Sequence, residues 1–154
     1  MKMSSTFVTR SLKTMTLAAL ALGASSVFAA GESPVGRWQT IDDETGKPKS
    51  IVEIKEVNGE LQGSVVELIN PSKPNPTCEK CEGDRKDKPI QGMTILWGVK
   101  KDGDSWGDGK ILDPQKGKVY GAKLEPEAGG QKLKVRGYLG VSALGRTQEW
   151  VRAQ

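Results

Sequence analysis

The sequence predicts an all-β fold, an antiparallel up-and-down barrel of about eight strands. Three observations point there. Short stretches of alternating apolar and polar residues recur along the chain, each bounded by Gly, Pro, Asn or Asp. No segment sustains a 3.6-residue period. Two of the breaks, Asn58-Gly59 and Asp102-Gly103, are strong signals for tight hairpins. An even set of hairpin-linked strands can close and so remove its exposed edges. A two-sheet sandwich is the alternative. An eight-stranded barrel is either filled by its own side chains or holds one small ligand.

The first 29 residues stand apart from this pattern. They carry Lys2, Arg10 and Lys13 and no acid, then an apolar run from Met15 to Ala24. Val27 and Ala29 follow as the two small positions before a cut. The apolar run is about ten residues, and a spanning helix needs roughly 20. Residues 1–29 therefore read as a cleavable signal peptide, with Ala30 as the new N-terminus. No Cys stands at the cut to carry a lipid. The expectation is a periplasmic or secreted protein whose single domain spans residues 30–154.

The strands follow in order. Gly36 to Ile41 is the first, closed by the turn-forming run Asp42 to Lys49. Ser50 to Val57 is rich in β-branched residues, and Glu60 to Ile69 returns from Asn58-Gly59. Asn70 to Pro89 is a long connection holding both Cys, with room for a small helix near Asp84 to Lys88. Gly92 to Lys100 and Ser105 to Leu112 flank the second hairpin signal. Lys118 to Glu125 comes after the turn Asp113-Pro114-Gln115-Lys116-Gly117. Gln131 to Leu139 and Ala143 to Arg152 complete the set.

Composition narrows the chemistry. The chain has 23 Lys+Arg and 19 Asp+Glu, and the leader takes three of the bases with it. The remaining charges alternate in sign, so there is no clustered basic surface for nucleic acid. No later stretch is long and apolar enough to span a bilayer. There is no His at all, which removes Ser-His and Cys-His nucleophiles and every His-ligated metal site.

Four constellations remain. Cys78 and Cys81 form a C-x-x-C with three readings. The first is a structural disulfide, as expected of an exported protein with two Cys. The second is half a metal site completed by carboxylates. The third is a redox pair, which Glu79 and Glu82 disfavour by raising a thiol pKa. Asp42, Asp43 and Glu44 are acids beside Gly46 and read as turn residues, since a Ca²⁺ loop wants alternate acids over a longer span. Asp113 reads as a turn residue bonding its own backbone. In the last two strands, alternation puts Arg146, Gln148, Trp150 and Arg152 on one face. It likewise groups Lys132, Lys134, Arg136 and Tyr138, opposite Leu133 and Val135. An inward face of that kind would line a pocket for an anionic or amphipathic ligand. An outward one would be Arg stems lying over Trp.

Gly36-Arg37-Trp38 on the first strand and Arg152 on the last resemble the lipocalin-like (calycin) barrels. In those barrels such an Arg packs over the Trp and closes one end. The whole domain is similar to the bacterial family catalogued as domain of unknown function 2147. The matching stretches include Asp42-Asp43 with Thr45-Gly46-Lys47, Cys78-Glu79-Lys80-Cys81 and Pro89-Ile90-Gln91-Gly92-Met93. Further stretches are Ile111-Leu112-Asp113-Pro114, Gly117-Lys118-Val119-Tyr120, Val135-Arg136-Gly137-Tyr138 and Gly145-Arg146-Thr147-Gln148-Glu149-Trp150. The resemblance implies an exported lipocalin-like barrel and supplies no activity.

The function expected is non-catalytic binding of a small apolar or amphipathic ligand, with no cofactor and no metal. The candidate ligand residues are Arg136, Tyr138, Arg146, Gln148 and Trp150. Trp38 and Arg152 are expected to meet as a structural lid, because closing the sheet makes the first and last strands neighbours. The rival is a cell-envelope structural or interaction module with a filled barrel. An enzyme resting on carboxylates, Lys, Tyr or Cys is the third option.

Overall fold

The computed structural model describes residues 32–154. The leader assigned to residues 1–29, with its cut after Ala29, lies outside the described residues.

Asn58 and Gly59 both take positive φ, 52° and 79°. That is the primed turn whose twist matches two antiparallel strands, and it sets Val57 opposite Glu60. Eight strands are built around such connections: β1 (Gly36–Ile41), β2 (Pro48–Val57), β3 (Glu60–Leu68), β4 (Thr94–Asp102), β5 (Ser105–Asp113), β6 (Lys118–Glu127), β7 (Lys132–Tyr138) and β8 (Gly145–Arg152). Each pairs antiparallel with the next, and β8 pairs with β1 through Trp38–Arg152 and Gln39–Val151. The sheet is thus a closed up-and-down barrel, and the sandwich alternative is excluded.

Three local expectations need correction. The tip of the β4–β5 hairpin is Gly103-Asp104, because Asp102 still pairs with Ser105. The fourth strand starts at Thr94 rather than Gly92; Gly92 and Met93 spend their N–H groups on Val65 O and Ile90 O instead. The helix expected near Asp84 to Lys88 is a single 3-10 turn, Gly83–Arg85.

Alternation decides what faces inward. Trp38, Val52, Ile54, Leu61, Val99, Leu124 and Leu133 are all buried, and they fill one half of the interior. Gly63 and Gly109 let neighbouring strands close in there: a Cβ at Gly63 would lie 3.1 Å from Leu96 Cβ, and one at Gly109 2.2 Å from Val99 Cγ2.

The end carrying the β2–β3, β4–β5 and β6–β7 turns is sealed. Trp38 is fully buried and donates its indole N–H to Pro34 O at 2.6 Å. Arg152 stacks on it, with Cζ 3.9 Å from the ring centroid. The same guanidinium donates to Gly130 O at 2.9 Å, Val35 O at 2.8 Å and Ser33 O at 3.3 Å. One side chain thereby ties the N-terminal segment to the β6–β7 turn. Gly36 makes this possible. Its φ is +128°, and a Cβ there would sit 2.2 Å from Arg152 Nη1. The Gly and the Trp of the G-x-W pattern serve one contact.

The long β3–β4 connection packs on the β5–β6 turn and lines part of the interior with Ile69 and Ile90. Cys78 and Cys81 are joined as a disulfide and both are buried. Backbone bonds from Cys78 N to Lys88 O (2.8 Å) and from Ile90 N to Pro76 O (3.0 Å) fold the segment on itself. Gly117 presses on Lys80, since a Cβ at Gly117 would fall 1.9 Å from Lys80 O. Arg85 adds a cation–π contact to Trp97 at 4.3 Å.

Candidate functional site: a cup at the loop-bearing end

The opposite end receives the longer connections: residues 42–47, 69–93, 114–117 and 139–144. Among the described residues, no stacked indole and guanidinium cover it. A cavity of about 990 Å³ opens there, at the upper end of the range for small-molecule sites. Its wall is mostly apolar or aromatic: Val65, Leu68, Ile111, Tyr120, Val135 and Trp150. Thr40 and Ser50 also face it, and their hydroxyls satisfy each other at 2.7 Å.

Strand β8 supplies the polar wall. Its register sets Trp150 opposite Leu133, Gln148 opposite Val135 and Arg146 opposite Gly137. Residues paired across a ladder share a face, and Leu133 and Val135 are buried, so Arg146, Gln148 and Trp150 face inward with them.

A chain of hydrogen bonds climbs this wall. Trp150 Nε1–H donates to Gln148 Oε1 at 3.3 Å. Gln148 Nε2 in turn donates to Asp43 Oδ2, and Arg146 forms an ion pair with the same oxygen. Asp43 comes from the β1–β2 loop, beside β8, because closure pairs β1 with β8. Its neighbour Asp42 builds that loop: Oδ1 accepts from Glu44 N (3.1 Å), Thr45 N (2.8 Å) and Thr45 Oγ1 (2.9 Å). The bonds from Thr45 hold the Asp42 carboxyl below its usual pKa. Asp113 does the same for the β5–β6 turn, accepting from Gln115 N at 3.0 Å and Lys116 N at 3.2 Å. Both acids are turn residues, as the sequence predicts. Asp43 is not spent on its own turn, and the sequence reading missed that.

Of the five candidate ligand residues, the structure brings Arg146, Gln148 and Trp150 together in the cup. Arg136 and Tyr138 belong by register to the other face of the sheet, although Tyr138, at the end of its strand, also borders the cup. Arg136 pairs in register with Thr147, donates to Thr147 Oγ1 at 2.9 Å and to Ala143 O at 3.1 Å, and lies in an outer cleft of about 490 Å³. Tyr138 lies over Gly121, where a Cβ would meet its ring at 2.5 Å. The outer cleft is lined by pairs of opposite charge. Lys123 meets Glu125 at 2.8 Å, and Lys134 meets Glu127 at 2.6 Å. Those bonds raise both lysine pKa values.

An eight-stranded barrel, sealed by a Trp–Arg pair at one end and open at the other, defines a lipocalin-like protein. A solved structure agrees: protein HP1028 from Helicobacter pylori, described as belonging to the lipocalin family, superposes with a TM-score of 0.70. It is 23% identical, over 79% of this chain and 84% of that one, a likeness that shows the fold alone. Comparison with curated proteins gives no match. The chain belongs to the family of uncharacterized proteins conserved in bacteria, DUF2147, whose profile matches residues 36–152.

Proposed function

We propose that this protein is an exported, non-catalytic barrel that holds one small apolar or amphipathic molecule in the cup beside Trp150. The observation that carries this reading is the asymmetry of the interior. A filled barrel, working through its surface, would be packed from end to end. Here one half is packed and the other encloses about 990 Å³ with an apolar wall and a polar edge. Binding at this site rests on burial of apolar area, at roughly 25 cal/mol per Å². The polar edge orients the ligand. No cofactor is required for such a role, and the absence of His from the chain fits a binding protein better than an acyl-transfer enzyme.

The sequence of residues 1–29 supports export, and the Cys78–Cys81 disulfide suits an oxidising compartment. Native mass spectrometry of protein purified from its own bacterial envelope tests the reading. A co-purifying small molecule, released on denaturation, is the expected result. A homogeneous mass with no adduct, from protein that also takes up no apolar probe, would return the barrel to the interaction-module reading.

A further inference from the structure

We propose that the ligand of the cup is an amphipathic carboxylate, and that Asp43 is a built-in competitor that the ligand head displaces. This deepens the ligand-binding reading and rests on it. Two turns of the barrel share one design. Asp42 to Gly46 and Asp113 to Gly117 each open with an Asp whose Oδ1 accepts from the loop backbone. Each closes with a Gly N–H bonded to that Asp's carbonyl at 2.8 Å. The second position is Pro114 in one turn and Asp43 in the other, so the turn itself does not need an acid there.

What Asp43 does is occupy donors on the neighbouring strand, β8. Arg146 and Gln148 converge on its Oδ2. Two convergent N–H donors at the edge of an apolar cavity are the arrangement that recognises a carboxylate. Below them the wall turns apolar, with Trp150 and Val135 next in line. A ligand carboxylate seated on Arg146 and Gln148 would direct its tail at those residues. Asp43 fills the head position, and among the described residues none fills the tail position.

The exchange is open to solvent. The side chains of Arg146 and Asp43 are 56% and 37% exposed, so the ion pair is weak. One carboxylate replaces another on the same donors, and the gain comes from the tail. Each buried methylene raises affinity about fourfold. A short carboxylate such as acetate gains no such advantage over Asp43, and a long-chain one does. The internal acid therefore selects for amphipathic anions against small ones.

Titration calorimetry near pH 7.5 with decanoate, decanol and decylamine tests this, on the wild type and on Asp43→Asn and Arg146→Gln. Far-UV circular dichroism confirms that each variant is folded. The expected result is that Asp43→Asn binds decanoate about three- to fivefold more tightly, since an exposed ion pair is worth that much at most. Arg146→Gln should weaken decanoate by a similar factor, with decanol changed less than about twofold in both variants. Equal binding of decanoate and decanol, unmoved by either substitution, would overturn the inference and leave the ligand-binding reading standing. Preference for decylamine, lost in Asp43→Asn, would overturn it in favour of Asp43 as the recognising group. Failure of all three probes to bind the wild type would overturn both.

Discussion

The two ends of this barrel hold an arginine in opposite ways. At the sealed end, Arg152 gives its donors to three backbone carbonyls and its flat face to Trp38. Backbone acceptors cannot leave without unfolding their segment. At the open end, Arg146 is held by a half-exposed carboxylate on a loop. That partner leaves by rotating a side chain. The first arrangement is structural and the second is exchangeable, although both are guanidiniums on one strand, six residues apart. Their surroundings differ in the same sense. Short hairpins of two to four residues and the buried Trp38 close the first end. Long loops crown the second, and the β7–β8 loop there exposes Leu139, Val141 and Leu144.

Substitutions can break this comparison. The largest effect should come from Trp38→Ala, which leaves a cavity where the indole was and should cost about 3–5 kcal/mol. Urea denaturation measures it, and a loss below about 1 kcal/mol would mean that the seal is not structural. Arg152→Ala should cost about 2–3 kcal/mol, from the lost stacking and the carbonyls left unpaired. Arg152→Lys should recover only part, because Lys lacks the planar fork. Reducing Cys78–Cys81 should cost about 2 kcal/mol by loop-closure entropy. It should also speed proteolysis within residues 70–89 before the barrel strands are cut. The smallest effect belongs to the open end: Asp43→Asn should change stability by no more than about 1 kcal/mol. A cost comparable to that of Arg152→Ala would make Asp43–Arg146 a structural pair and erase the contrast.

Most of the fold was legible because a barrel of short hairpins writes its turns locally. Asn58-Gly59 needs positive φ at both positions, and few residues other than Asn and Gly supply it. The Trp38–Arg152 contact followed from closure, which makes the first and last strands neighbours, together with the resemblance to lipocalin-like barrels. The site was only half legible. Alternation correctly grouped Arg146 with Gln148 and Trp150, and Arg136 with Tyr138. It could not relate the two groups, because the face shared by β7 and β8 depends on the register of their hairpin, and a one-residue shift inverts it. The observed register pairs Arg136 with Thr147, so the two groups lie on opposite faces. Asp43 was hidden for another reason. Its partners are 103 and 105 residues away in sequence, and only the closed sheet brings β1 beside β8.

The central claim is that one half of the interior is sealed and the other receives a ligand, and indole N–H signals report on both halves at once. The chain has four tryptophans, with Trp38 under the seal and Trp150 in the wall of the cup. A ¹H–¹⁵N spectrum recorded while decanol is added should show the Trp150 indole signal moving in a saturable way. The Trp38 signal should stay in place. Movement of Trp38 with Trp150 unmoved, or shifts confined to the outer cleft around Lys123 and Arg136, would contradict the account.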